Sequence, residues 1–366
     1  MTGRAAHWHT RRHFRDATGV LLVLRDPPAP PPPAPGQPPM VPGNPAEGLE
    51  VLLALVDEGQ GVVSAVVLAG HVDLGTGIRT AYGQIVAEEL DLPLGQVQVL
   101  LGDTARAPNQ GPTIASTSIQ LHAQPLRLAA AQARAWLVAA AAARWGEGEG
   151  GGGGEEVGVG AAAGLTAATL RTGAGEVVAA DGRRLAYAVL LADRHAELLL
   201  DLATPTKPVA DYTLVGQSAP RVDLRAKVTG EAVYVHDVRR PGMLHGRVVR
   251  PPYAGLDAGD FVGRSLLGVD ESSVDQLPGF VRLVVIGDFI GVVAQREEQA
   301  EAAMQALRVQ WQPLTPRAPL DDLAQAISAH PSTPRVVADQ GDVDGALAGV
   351  ATRIDREYVW PYQLHA

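Results

Sequence analysis

The apolar positions from residue 49 onward predict a hairpin followed by a helix. Two β-type apolar runs, 49–56 and 62–70, are separated by a polar turn, a pattern that favours two adjacent antiparallel strands. Apolar residues then recur at helical spacing. They are Ile78, Tyr82, Ile85, Val86 and Leu90. Residues 97–104 alternate as a strand, and the alanine-rich stretch 118–145 predicts a long helix.

A second unit is predicted from about Lys227. Its expected order is two strands, a strand pair, and then a helix and a strand, at 227–238, 242–250, 281–294 and 297–311. One short helix is expected near 320–327, and the last residues, 351–366, are β-like and stop in mid-pattern, which suggests truncation. Alternating strands and helices of this kind are typical of an α+β or α/β fold.

These patterns divide the chain into four expected parts. Residues 27–45 are dense in proline and predict an extended linker, whereas 146–160 are rich in glycine and predict a flexible loop. The parts are an N-terminal arm with linker (1–48), a first domain (49–220), a second domain (221–340) and the truncated start of a further region (341–366).

The composition excludes several classes of function. The formal charge of −10 argues against a nucleic-acid partner, which is held by neutralising phosphates with basic residues. There is no cysteine, so the chain contains no disulfide, thiolate zinc site or cysteine-ligated iron–sulfur cluster. Any cluster used in redox chemistry would therefore be on another polypeptide.

No apolar run reaches the ~18–20 residues of a membrane-spanning helix. Arg11 and Arg12 precede a short apolar run, 19–24, which Arg25 and Asp26 interrupt. The run resembles a degenerate twin-arginine export signal, and the alternative is a frayed, uncleaved N-terminal arm. We therefore expect a cytoplasmic protein, with the periplasm as the alternative.

Two hydroxyl-rich turns, 74–80 (LGTGIRT) and 111–118 (GPTIASTS), are the main candidates for a functional site. Each precedes a predicted helix. Glycine permits tight turns, and helix N-termini with free N–H groups favour anions. The alternatives are an ordinary structural turn for the first segment and plain capping by Ser or Thr for the second.

Other polar residues have plainer interpretations. Glu88 and Glu89 are adjacent on a helix and are expected on a solvated face. The histidines show no metal-ligand spacing and are expected on the surface or as satisfied core groups; they include His71, His122, His236 and His245. Arg247 and Arg250 favour surface ion pairs or an acidic partner.

The run from His71 to Gln120 resembles a molybdopterin-binding segment of the xanthine dehydrogenase and aldehyde oxidase family. Two later segments, 227–255 and 277–311, resemble that family's a/b hammerhead domain. Their order is similar to that in the large subunits of isoquinoline oxidoreductase and nicotinate dehydrogenase-like enzymes. The resemblance therefore implies a molybdopterin-binding α/β domain at 49–220, followed by a hammerhead domain at 221–340.

The resemblance implies a molybdenum pyranopterin cofactor, as the cytosine dinucleotide, held largely by backbone N–H and hydroxyl groups. By position, the expected cofactor-binding residues fall in the two turns. They are Gly75, Thr76, Gly77, Thr80, Thr113, Ala115, Ser116 and Thr117. Thr76 stands where many relatives have glutamine, and a water is expected to replace the contact of the longer side chain.

The resemblance also implies an activity and partners. Such enzymes hydroxylate an N-heterocycle or an aldehyde with water as the oxygen source, and electrons leave through a small two-cluster iron–sulfur subunit. The family's general base, a glutamate, lies beyond Ala366, so the chain alone is expected to be inactive. The missing C-terminal half would then be supplied by a separate chain. The rival hypotheses are a truncated, non-catalytic remnant and a docking module without cofactor.

Overall fold

The computed structural model describes residues 4–27, 48–147, 167–251, 265–313 and 322–360. The chain divides into two compact units, Met1–Val233 and Tyr234–Ala366. In the first unit the strands are β1 Val20–Arg25, β2 Glu50–Gly59, β3 Val62–Ala69, β4 Val97–Leu101, β5 Arg171–Gly173, β6 Glu176–Val178, β7 Arg184–Ala186 and β8 His195–Leu199. Its α-helices are α1 Arg11–Arg15, α2 Ile78–Leu90, α3 Ala123–Glu147, α4 Tyr187–Leu191 and α5 Leu224–Thr229.

The main sheet has the strand order β4-β3-β2-β1-β8. The central pairs β1–β2 and β2–β3 are antiparallel, which confirms the predicted hairpin. The outer pairs, β3–β4 and β1–β8, are parallel. A parallel pair needs a crossover, and α2 is the crossover helix between β3 and β4. The loops that follow β3 and β4 therefore leave the sheet at the same edge.

Strand β1 corrects the expected N-terminal arm. It lies between β2 and β8, and the side chains from Val20 to Leu24 are at most 1% exposed. The expectation of a frayed arm is therefore wrong for these residues, whereas the export signal stays untested. Consecutive apolar side chains with both faces covered are typical of an interior strand. The proline-rich residues 28–45 and the glycine-rich residues 148–160 lie outside the described residues.

Both faces of the main sheet are covered. On one face α2, α3 and α4 contribute Tyr82, Leu137 and Tyr187, all fully buried, to the larger core. On the other face Phe14 of α1 packs among β-strand side chains such as Leu22. Small alanine side chains, which cost little conformational entropy on burial, supply much of the buried face of α3.

The second unit forms two small antiparallel sheets, β11-β12-β9 and β10-β13. Its strands are β9 His245–Val249, β10 Leu266–Asp270, β11 Phe280–Ile286, β12 Phe289–Ala294 and β13 Arg308–Trp311, and its helices are α6 Glu297–Ala306, α7 Leu323–Ala329 and α8 Val343–Ala348. The predicted strand pair, helix and strand from 281 to 311 are confirmed. The predicted strand 227–238 is wrong, because Gly230 at φ +73° ends α5 and irregular backbone follows.

Among the described residues, no helix combines the length and the hydropathy needed to cross a membrane.

Candidate functional site

The structure brings the two hydroxyl-rich turns together at one edge of the main sheet. One turn follows β3 and the other follows β4, and the carboxyl ends of parallel strands are where ligands bind in open α/β sheets. Backbone N–H groups after β3 donate to side chains after β4. Gly70 N–H donates to Gln110 Oε1 at 2.8 Å, and Val72 N–H donates to Thr113 Oγ1 at 3.0 Å.

Gly70 allows this close approach. A Cβ atom added there would lie 2.2 Å from the carbonyl oxygen of Pro108, which is backbone and moves only with the loop. A cavity of about 300 Å³ opens beside the contact and is lined in part by Arg11, Glu50, Asn109 and Gly111. The Glu50 carboxylate accepts hydrogen bonds from the Arg25 guanidinium and from Asn109 N–H at 2.8 Å, so its charge is compensated within the chain.

The glycine turn is closed by a side chain that sequence reasoning did not single out. Asp73 Oδ1 accepts the N–H groups of Gly75 at 2.9 Å and Gly77 at 3.0 Å, and Oδ2 accepts that of Arg79 at 3.4 Å. Burial opposes ionisation of Asp73, but these backbone hydrogen bonds outweigh it and lower the pKa of the carboxyl. The N–H groups of Gly75 and Gly77 are therefore already bonded. These two amides are thus used within the turn itself, and the expected place of Gly75 and Gly77 in a cofactor site stays a prediction.

A cation also lies at this turn. The Arg221 guanidinium donates to the Gly75 carbonyl oxygen at 2.9 Å and is paired with Asp223 at 2.8 Å. Thr80 is buried, and its Oγ1 accepts the N–H of Val222 at 3.1 Å. Thr76 is exposed, and its hydroxyl makes no hydrogen bond within the described residues. Thr76 therefore presents a free hydroxyl at the surface of the turn.

The second turn has two consecutive non-glycine residues in the left-handed backbone conformation. Ala115 and Ser116 both have positive φ, +51° and +55°, a conformation that costs a residue with a side chain roughly 1–2 kcal/mol. Their N–H groups donate no hydrogen bond within the described part of the chain, and both residues are exposed. The hydroxyl of Thr117 donates to the Ile114 carbonyl oxygen at 2.9 Å. Thr113 and Thr117 thus shape the loop, while Ala115 and Ser116 present free donors.

Behind the loop lies a fully buried histidine. His71 Nδ1 lies 2.8 Å from Ser118 Oγ, and the Tyr82 hydroxyl donates to the Ser118 carbonyl oxygen at 2.8 Å. The His71 and His122 rings are 4.4 Å apart. Burial, then His71 and Arg25, lower the pKa of His122 to about 4. Because His71 is fully buried and both ring nitrogens have partners, it is a satisfied core histidine and not a surface one, which were the two alternatives expected. Within the described ranges, no cluster of three or more His, Cys, Asp or Glu residues forms a metal site.

The expected solvated face of α2 is wrong for Glu88 and Glu89, which are 2% and 1% exposed. Glu88 accepts N–H groups from three consecutive loop residues, at 2.9, 2.6 and 2.9 Å; they are Thr213, Leu214 and Val215. Glu89 is paired with Arg127 at 2.7 Å. The loop that covers α2 is more than 100 residues away in sequence, so helical spacing alone could not show this burial. Arg247 forms the expected surface ion pair, with Glu297 at 2.7 Å.

The unbonded donors at this edge are of a kind that fits an organic anionic group of the pyranopterin type. One of them, the Thr76 hydroxyl, lies in the first turn, and the others lie in the second. The free donors there are neutral amides and the Ser116 hydroxyl, which hold anions without a basic cluster. Around them lie exposed apolar side chains. They are Val72, Leu74, Ile114, Ile119 and Leu121.

Comparison with known proteins agrees with this chemistry. Residues 46–179 match a family model described as the molybdopterin cofactor-binding domain. The chain is 50% identical over 350 residues to a subunit of nicotinate dehydrogenase from Pseudomonas putida, a match that covers 95% of this chain and 28% of that protein. It is 28% identical over 266 residues to the beta subunit of isoquinoline 1-oxidoreductase from Brevundimonas diminuta, with coverages of 66% and 32%.

A third relative is membrane-bound aldehyde dehydrogenase (pyrroloquinoline-quinone) of Gluconacetobacter polyoxogenes, 24% identical over 341 residues, with coverages of 89% and 40%. Its name specifies a quinone, so the molybdopterin assignment depends on the family model and on the other relatives. The chain spans 28 to 40% of the length of these three relatives. The resemblance seen in the sequence is confirmed to this extent: residues 46–179 match a molybdopterin cofactor-binding domain, and the chain is similar to subunits of nicotinate dehydrogenase, isoquinoline oxidoreductase and a probable xanthine dehydrogenase.

Proposed function

We propose that this chain forms one wall of a molybdenum pyranopterin site in an oxidoreductase that hydroxylates an N-heterocycle or an aldehyde, with water as the oxygen source. One observation carries the proposal. Two consecutive left-handed residues, Ala115 and Ser116, present unbonded N–H groups at the carboxyl ends of two parallel strands. Strained backbone of this kind persists where the surroundings hold it in place and is concentrated at functional sites.

The residues of the two turns have different roles in this site. Ala115 and Ser116 donate to the anionic part of the cofactor, and Thr76 faces it with a free hydroxyl. Gly75, Gly77 and Thr80 shape and support the first turn, whereas Thr113 and Thr117 hold the second in position. When bound, the molybdenum pyranopterin supplies the two-electron redox chemistry, and the chain supplies orientation and hydrogen bonds. The general base is expected on a region outside this chain.

We further propose that the cofactor is the cytosine dinucleotide form and that other polypeptides complete the enzyme. The exposed apolar side chains in and beside the two turns support a partner that covers this edge of the sheet, because burying them against another chain removes apolar surface from water. With no cysteine in the chain, the electron path requires a partner, for which we propose a two-cluster iron–sulfur subunit. We also propose a hammerhead fold for the second unit, and a cytoplasmic location, since the run 19–24 is a core strand.

The test compares cofactor content in the complex purified with its native neighbours. Ser116→Asp places a carboxylate beside the free amides, whereas Ser116→Asn has a similar shape and no charge; both residue types tolerate positive φ. We expect molybdenum and pterin to fall at least about tenfold in Ser116→Asp and to stay within about twofold in Ser116→Asn, because like charges repel at close range. Thr76→Trp should also block occupancy.

Two results would count against the proposal. Equal molybdenum content in both Ser116 variants would show that the second turn does not hold the cofactor. Molybdenum far below stoichiometric amounts in the unmodified complex would favour a non-catalytic remnant or a docking module.

A further inference from the structure

Ser118 is hydrogen-bonded by two residues that lie on either side of the first turn in sequence, His71 and Tyr82. Its hydroxyl lies 2.8 Å from His71 Nδ1, and its carbonyl oxygen accepts the Tyr82 hydroxyl at 2.8 Å. Ser118 is also the first residue of a π-helical turn, Ser118–His122, that leads into α3. Such turns are rare and are frequently found at functional sites. Ser116, which presents a free N–H group, is two residues earlier.

We propose that His71 is a positioning residue: its hydrogen bond to Ser118 holds Ala115 and Ser116 in the left-handed conformation that presents their N–H groups to a ligand. The effect on loop geometry does not depend on which ligand binds. The identity of that ligand, a molybdenum pyranopterin, rests on the proposed function.

The bonding partners determine which nitrogen of His71 carries the proton. His71 Nε2 faces the carbonyl oxygen of Gln110 at 3.3 Å, and a carbonyl oxygen only accepts, so Nε2 is the donor. Burial disfavours a second proton, and the His122 ring is 4.4 Å away. Nδ1 is therefore an acceptor, and the Ser118 hydroxyl donates to it. This arrangement fixes the Ser118 rotamer as well as its position.

The other end of the loop is held by the neighbouring residue. Val72 N–H donates to Thr113 Oγ1 at 3.0 Å, so His71 and Val72 secure both ends of the segment 113–118. Thr117 N–H also donates to the Ile114 carbonyl oxygen across this turn, at 3.1 Å. Without the anchor at Ser118 we expect this turn to loosen and Ala115 and Ser116 to relax toward right-handed φ, since that conformation is favoured for residues with a Cβ atom. Their N–H groups would then turn toward the start of α3 and away from the edge of the sheet.

The experiment measures amide hydrogen exchange in the full chain without cofactor. His71→Leu removes the acceptor, and Ser118→Ala removes the donor. His71→Asn is the rescue variant, since its amide oxygen lies near the position of Nδ1. We expect amides from Thr117 to His122 to exchange about tenfold faster in His71→Leu and Ser118→Ala and within about threefold of wild type in His71→Asn. Amides in the double variant, His71→Leu with Ser118→Ala, should exchange no faster than in either single variant, because both substitutions remove the same hydrogen bond.

His195→Leu, at a histidine outside the loop, is the matched control and should leave these amides unchanged. Amides of β2 report whether each variant is folded, and Tyr82→Phe provides a second test of the Ser118 anchor if His71→Leu does not fold. Wild-type exchange in Ser118→Ala, or equal exchange in His71→Asn and His71→Leu, would overturn the proposal. Because no molybdenum is present, this result is independent of whether the cofactor proposal holds.

Discussion

Asp73 Oδ1 accepts the backbone N–H of Gly77 at 3.0 Å, so the glycine turn is closed by an acidic side chain from its own loop. The same oxygen accepts Gly75 N–H at 2.9 Å. A turn that resembles an anion cradle in sequence thus already contains its anion. Backbone N–H groups without an acceptor in the described part of the chain lie instead in the neighbouring loop, at Ala115 and Ser116.

Removing the Asp73 carboxylate should destabilise the first unit. Asp73→Ala leaves the N–H groups of Gly75 and Gly77 without their acceptor, and we expect a loss of about 0.5–2 kcal/mol, as for loss of a helix cap. Urea unfolding at pH 7 measures this loss. The lowered pKa of Asp73 means that its stabilisation is full above the unfolded value of about 3.9 and is lost as the pH falls through the lower folded value. The variant and the wild type should therefore converge in acid, and a constant difference would contradict this.

Gly70→Ala should be more damaging than an alanine substitution at an unhindered glycine. The new Cβ would lie 2.2 Å from the Pro108 carbonyl oxygen, and we expect a cost of about 1–3 kcal/mol, as for overpacking. Gly95→Ala is the control, because its Cβ would meet nothing within 4 Å. The free energies of unfolding from denaturant titrations should separate the two variants. Equal values would show that the contact between the loops is not constrained there.

Glu88→Gln should destabilise the contact between α2 and the loop above it. All three N–H groups donate to Glu88 Oε2. Glutamine therefore either keeps a neutral oxygen there and turns its NH₂ group toward Lys207 Nζ, which lies 3.5 Å from Oε1, or turns the NH₂ group against the three donors. Unsatisfied buried donors cost about 1–3 kcal/mol. Glu197→Gln, at an exposed strand position, should stay within about 0.5 kcal/mol of wild type. A protease should also cut the 207–217 loop faster in Glu88→Gln. Unchanged cleavage would show that the hydrogen bonds to Glu88 do not hold this loop on α2.

Two substitutions at Ala115 should change the stability of the first unit in opposite directions, because they respond differently to the strained backbone. Ala115→Gly relieves the positive φ of +51° and should stabilise the first unit by up to about 1 kcal/mol, less the added chain entropy of glycine. Ala115→Val, which is β-branched, should destabilise it, since such residues rarely adopt this conformation. Thermal unfolding of the two variants against wild type tests the sign. Destabilisation by glycine would show that the residue is not strained.

His122 should make stability fall in mild acid. Its pKa is lowered to about 4 by burial first, and then by His71 and Arg25, whereas the unfolded value is about 6.5. Its neutral form therefore stabilises the fold fully above pH 6.5, and this contribution is lost as the pH falls toward 4, with a slope of at most about 1.4 kcal/mol per pH unit. His122→Phe should flatten the curve between these values. Unfolding curves at several pH values measure this, and an equally steep variant curve would contradict it.

Local patterns predicted much of the secondary structure. The apolar spacing from Ile78 to Leu90 matches α2, and the long alanine-rich stretch matches α3. The run Val20–Leu24 had the composition of an interior strand, but its charged surroundings and position suggested an arm. Asp73 carried a usable signal, since an Asp two residues before a glycine is typical of a side-chain-capped turn. Arg221 had no such signal, because it is 146 residues from Gly75.

What the sequence determined by itself was local: the periods of strands and helices, the turn residues, the absence of cysteine, and the position of two hydroxyl-rich turns. The tertiary structure decided the pairing of β1 with β8, the burial of Glu88 and Glu89, and the attachment of Ser118 to His71. The period of a strand or helix depends on neighbours within a few residues, so the local order of apolar and polar residues is enough to predict it. Burial and hydrogen-bond partnership depend on segments that are distant in the chain, and only the folded sheet brings those segments into contact.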